Sequence, residues 1–118
     1  MFTEHLRKVV DHVDGGVGAL IMGLDGIAVD RYVRDGESID IDTIGMEFSF
    51  ILTQIRKASE VLAVGDLQEI SIKAEQLVIV IRMLNAEYFI GVALRADGNF
   101  GKARFLLRVV APRLIAEL

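Results

Sequence analysis

Apolar residues recur at helical spacing from the start of the chain: Phe2, Leu6, Val9 and Val13 share one side, with Glu4, Arg7, Lys8 and Asp11 mostly on the other. Asp14-Gly15-Gly16 stops this helix. Val17 to Gly23 is apolar throughout, and from Gly26 to Val33 the residues Ile27, Val29 and Val33 alternate against Asp30, Tyr32 and Arg34. Between them, Asp25-Gly26 tolerates the positive φ that a tight turn needs, so a β-hairpin is predicted. After the polar loop 35–38, Asp40 or Asp42 can cap a new helix by accepting from its free N–H groups. Ile44, Phe48, Ile51, Leu52, Ile55, Ser59 and Leu62 form one broad stripe along that helix, which ends near Gly65 and is the longest element.

From Leu67 to Lys73 the period changes to two, with Ile70 and Ile72 opposite Glu69, Ser71 and Lys73, as in a half-exposed strand. Leu77 to Leu84 and Glu87 to Leu94 are β-branched and aromatic runs joined at Asn85-Ala86, so residues 67–94 read as a three-stranded meander. Gly91 and Ala93 leave one face of the last strand small, where a helix can approach. A final helix begins near Asn99, with Phe100, Ala103, Leu107, Val110 and Leu114 on one side. Pro112 should bend or fray its last turns, because it cannot donate to the Arg108 carbonyl. The order is α-β-β-α-β-β-β-α, an α+β layered fold with an antiparallel sheet and helices covering its faces.

No linker, repeat or low-complexity tract interrupts residues 1–118, so one domain is expected. The chain has no cysteine, which removes disulfides, thiolate metal sites and cysteine nucleophiles together. The first residues lack the apolar stretch of a secretory signal, and no apolar run approaches membrane-spanning length, so a cytoplasmic protein is expected. A net charge of −4 argues against nucleic acid as partner. The charge is unevenly spread. Residues 25–47 hold seven acids and two bases, whereas residues 95–113 hold Arg95, Lys102, Arg104, Arg108 and Arg113 against Asp97, a polarity that suits protein partners.

Motifs that suggest chemistry fail on spacing. Asp97-Gly98-Asn99-Phe100-Gly101-Lys102-Ala103 has the outline of a phosphate loop, but its glycine-to-lysine spacing is too short and Ala103 replaces the hydroxyl that would bind magnesium; a turn with a helix cap explains it. Gly15-Gly16-Val17-Gly18 follows no strand, and Gly23-Leu24-Asp25-Gly26 lacks the bases of a nucleic-acid clamp. His5 and His12 have no partner ligands for a metal and read as solvated residues of the first helix. None of Ser38, Ser49, Ser59 or Ser71 sits in a nucleophile elbow. No catalytic residue, metal or cofactor is implied.

The hairpin ALIMGLDGIAVDR, the long helix, the meander and the closing LRADGNFGKARFLLR together resemble the roadblock family, in which an Asn and a Gly-Lys pair open the last helix. The resemblance covers nearly the whole chain and is strongest to the family's bacterial polarity regulators. It implies a profilin-like or longin-like fold with a central five-stranded antiparallel sheet. It also implies a non-enzymatic dimer, paired through the long helix and a neighbouring edge strand. Such a protein acts as a scaffold or regulator toward a Ras-like small GTPase, a roadblock paralogue or a polarity complex, positioning a partner's switch loops without contributing a catalytic group.

By position, the expected self-association surface comprises Met46, Phe50, Thr53, Gln54 and Lys57 on the helix with Glu69, Ser71 and Lys73 on the strand. If that strand lies at a sheet edge, its unpaired backbone groups favour a second copy. The competing expectation is a small-molecule-binding sensory module of profilin-like or PAS-like architecture. It requires an internal cavity, against which the large aliphatic residues Ile79, Ile81, Met83, Ile90 and Val92 argue.

Overall fold

The structure, a computed structural model, describes residues 2–118. Its elements are α1 (Thr3–Asp11), β1 (Gly16–Gly23), β2 (Ala28–Val33), α2 (Ile41–Leu62), β3 (Glu69–Lys73), β4 (Leu77–Met83), β5 (Tyr88–Arg95) and α3 (Phe100–Glu117), in the predicted order. The five strands form one antiparallel sheet, ordered β2-β1-β5-β4-β3. The hairpin and the meander join through β1 and β5, where Ile21 stands opposite Ile90 and Ala19 opposite Val92. These central strands are covered on both faces, which is why β1 is buried from end to end and reads as an unbroken apolar run.

On one face, α1 and α3 set Leu6, Val10, Val13, Leu107 and Leu114 against Ile21, Val80, Ile90 and Val92. On the other, α2 sets Ile41 and Leu52 against Leu20, Met22, Ile81 and Phe89. Because β2 and β3 are the two opposite edges, their connection must cross the sheet. Four strand spacings amount to about 19 Å, and the 22 residues of α2 extend about 33 Å. Asp40, and not Asp42, caps this helix: its carboxylate accepts from the Thr43 backbone N–H at 3.1 Å and from the Thr43 hydroxyl at 2.7 Å. The helix stops at Ala63, in the left-handed region, and Gly65 follows with φ +93°.

Three sequence expectations are corrected. The close helix approach lies at Gly45, where an added Cβ would sit 2.6 Å from Leu20 Cδ1 and 2.9 Å from Met22 Cε. It does not lie at Gly91 and Ala93, because α2 runs over β1 and β2. Ile51 and Leu62 are exposed, since the stripe was drawn wider than the arc that faces the sheet; Phe100 is likewise exposed, at the mouth of α3. Finally, α3 continues past Pro112 to Glu117 without fraying, anchored by buried Ala111 and Leu114.

The turn before α3 is structural, as its spacing suggested. Asn99 caps the helix by accepting from the Lys102 N–H at 3.1 Å. The Arg95 N–H donates to Gly15 O at 2.8 Å and the Asn99 N–H to Asp14 O at 3.0 Å, which clamps this turn to the one after α1. A Cβ on Gly98 would lie 2.8 Å from Asp14 O and 3.0 Å from Arg95 O. Both are backbone atoms held in that clamp. Gly98→Ala is therefore expected to cost roughly 1–3 kcal/mol, and more than Gly45→Ala, whose new methyl meets only the ends of the Leu20 and Met22 side chains and gains helix propensity. Denaturant melts of the two variants check this order; a more severe Gly45→Ala would contradict it.

Candidate protein-interaction site

Inward residues of α2 recur as Ile41, Gly45, Ser49 and Leu52. The spacing that buries these turns Met46, Phe50, Gln54 and Lys57 outward, and all four are exposed, Phe50 to 75%. Thr53 is half-buried at the margin of this face, and its hydroxyl donates to Ser49 O at 3.0 Å. The face continues past the predicted residues to Val61, 85% exposed, and Val64. At the other end it meets the β1–β2 turn, where Gly26 adjoins Met46 and Ile27 is exposed. The signal for Val61 was present in the sequence, because it extends the spacing of Met46, Phe50 and Lys57 by a further helical turn; Val64 lies past the end of α2.

β3 is an edge strand: it pairs with β4, from Glu69 opposite Arg82 to Lys73 opposite Val78, and its other side is open. Ile70 and Ile72 face the α2 side and pack at the margin of that cluster. Glu69, Ser71 and Lys73 therefore point to the opposite face, toward α3. The strand does not bring these three side chains together with those of α2; only its backbone edge is common to both faces. Glu69 accepts from Arg104 of α3 twice, at 2.8 and 3.0 Å, and Lys73 Nζ lies 5.9 Å from the centre of the Phe100 ring. The hydrogen bonds from Arg104 hold the Glu69 carboxyl below its ordinary pKa, against the opposing effect of burial.

The acidic stretch 25–47 is largely engaged within the chain. Asp30 accepts from the Thr3 hydroxyl, Asp42 from Arg31 at 2.6 Å, and Glu37 from Arg95. The space between α2 and the sheet, lined by Leu20, Gly45, Phe48, Ile79 and Phe89, amounts to about 10 Å³. That is room for no more than one water, so the core there is filled and no ligand chamber separates helix from sheet. A surface cleft of about 340 Å³ lies where Arg56, Ser59 and Asp66 meet Arg82 and Asn85. Among the described residues, no cluster of His, Asp and Glu is arranged to hold a metal, and no helix is long and apolar enough to cross a membrane. His5 Nε2 lies 3.8 Å from Glu117, and His12 Nδ1 2.7 Å from Lys8 O at the end of α1.

With this geometry in hand, the chain can be set against known proteins. No family model and no curated protein matches it. Among solved structures, MglC from Myxococcus xanthus is 42% identical, with 99% of this chain and 98% of that chain covered and a TM-score of 0.72. The chain belongs to the roadblock family. Its fold is also that of a Roadblock/LC7 domain from Streptomyces avermitilis (14% identity, 95% and 96% coverage, TM-score 0.76). A gliding protein, MglB from Thermus thermophilus, shares it as well (13% identity, 96% and 84% coverage, TM-score 0.85). In this roadblock chain the closing motif serves the fold, with Asn99 as cap and Gly98 as contact, while Lys102 is left exposed.

The Glu69–Arg104 pair ties the edge strand to α3, and its effect on stability follows from the carboxyl's direction of shift. A lowered folded-state pKa means that the pair stabilises above the unfolded glutamate value, about 4.3, and that this contribution is lost as pH falls through the folded value. Glu69→Gln should melt below the parent protein at neutral pH, and the gap should close on acidification. Melting temperatures of both proteins across a pH series provide the measurement, and a gap that is constant with pH would contradict it.

Proposed function

We propose that this protein is a dimeric, non-enzymatic scaffold or regulator of an MglA-type Ras-like GTPase in bacterial cell polarity or motility. It acts in the cytoplasm by contact with the GTPase, a roadblock paralogue of MglB type or a polarity complex. One observation carries the reading: an uncovered edge strand and an exposed apolar helix face occur together in a chain 42% identical to MglC over 99% of its length. Exposed backbone donors and acceptors on β3 are satisfied by a second strand. The apolar surface of Met46, Phe50, Val61 and Val64 gains by leaving water at the same time.

The sequence of β3 fits pairing with itself. An antiparallel two-fold contact centred on Ser71 sets Ile70 opposite Ile72 and Glu69 opposite Lys73 in the two copies. Two opposite-charge pairs then flank the axis. Gln54 and Lys57 supply a polar rim to the helix part of the surface, and Thr53 lies at its margin. With the space between α2 and the sheet filled, the small-molecule reading has no site there.

Light scattering at micromolar concentration should give twice the 13.0 kDa mass of one chain. Phe50→Glu should shift the protein toward monomer. Lys73→Glu, which sets like charges opposite one another across the axis, should do so too. A monomeric parent protein would sink the reading. So would GTP hydrolysis by the chain alone, or the absence of binding both to an MglA-type GTPase, with its hydrolysis and nucleotide exchange unchanged, and to a roadblock paralogue of MglB type.

A further inference from the structure

We propose that the groove between α3 and β3 docks an acidic, apolar-bearing peptide segment of a partner protein, on the face of the sheet opposite α2. The chain is acidic overall, yet here Arg82, Arg104 and Arg108 surround one carboxylate, Glu69, and Lys73 lies farther along β3. That carboxylate is committed to Arg104. Among the described residues no carboxylate hydrogen-bonds to Lys73 or Arg108, and both lie over aromatic rings, Lys73 Nζ 5.9 Å from the Phe100 centre and Arg108 Cζ 6.0 Å from that of Phe105. Both rings remain exposed, Phe105 to 53%, with Val109 one turn beyond it.

Beside Phe105 and Arg108 runs a depression of about 110 Å³, lined also by Glu69, Gly101 and Arg104. Gly101 keeps its floor open, since a Cβ there would meet only Asn99 Oδ1, at 3.7 Å. An exposed ring beside an exposed cation matches a segment that alternates carboxylates with apolar side chains: a carboxylate pairs with Arg108 while an apolar group covers Phe105. The occupant is not this chain's own acidic stretch, because Asp30, Glu37, Asp40 and Asp42 are each engaged within the fold. Nor does a bilayer fit, because a flat anionic surface does not reach a groove one side chain wide. Pairing of β3 edges would engage Lys73 with Glu69 of a second copy but leaves Phe105 and Arg108 of α3 uncovered, so the groove stands whether or not the chain dimerises.

The probe is a short fluorescent peptide of alternating glutamate and leucine, compared with the same peptide carrying lysine in place of glutamate. By anisotropy, only the glutamate peptide should bind, and more weakly as salt is raised. Arg108→Glu should weaken binding by about tenfold or more. Phe105→Ser should weaken it without changing its salt dependence. Lys8→Glu, an equal charge change on α1, should leave it within about twofold. An unchanged mass for Arg108→Glu by light scattering separates loss of docking from loss of self-association. Equal binding of the two peptides, equal loss in Arg108→Glu and Lys8→Glu, or binding to phosphatidylserine vesicles without binding to the peptide would each overturn the proposal.

Discussion

The structure depends on a crossing. β2 and β3 follow one another in sequence but occupy opposite edges of the sheet, so the chain between them must traverse every other strand. A helix is the one regular element that makes such a traverse with its backbone hydrogen bonds satisfied internally. Asp40 fixes where α2 starts, and Gly45 lets it settle on Leu20 and Met22. Once its first half is pinned over β1 and β2, its second half is carried beyond the strands that would cover it. Val61, Leu62 and Val64 are exposed as a consequence of the path, and β3 emerges with no helix across its outer edge.

The same crossing explains what was legible in the sequence. Element order was readable because each element carries its own period: two for β3, a continuous apolar run for the doubly covered β1, and helical spacing for α1 and α2. The capping residues Asp40 and Asn99 were readable because capping is local chemistry. Sheet order was not, since the adjacency of β1 and β5 is a long-range choice that leaves no mark on either strand alone. The misplaced close approach has the same origin: Gly45 and Gly91 are equally small in the sequence, and only the route of α2 over β1 decides which of them a helix needs.

Side-chain direction on β3 was readable, but the identity of the two faces was not. Alternation separates Ile70 and Ile72 from Glu69, Ser71 and Lys73. It does not say that the polar set faces α3, and so grouping these residues with the outward face of α2 joined two surfaces that the sheet keeps apart. The outward face of α2 itself was legible as the complement of its buried stripe, though Ile51 and Leu62 show that the width of a stripe is set by what lies beneath it. Phe100 makes the same point on α3, where the end of the helix overhangs the edge of the sheet.

An edge strand that divides two unlike surfaces gives this small chain more contact options than its size suggests. On one side of β3 the neighbours are aliphatic, Ile70, Ile72 and the flank of α2; on the other they are cationic and aromatic, Lys73, Arg104, Phe100 and Phe105. The two sides differ in how they select a partner. Aliphatic burial is non-directional and tolerates many helical or sheet partners of matching shape, whereas cation pairing discriminates by charge and is tuned by salt. The proposed scaffold role would use both properties, holding one partner firmly while admitting or refusing another. The alternation of five residues, Glu69 to Lys73, sets these two modes back to back across the thickness of one strand.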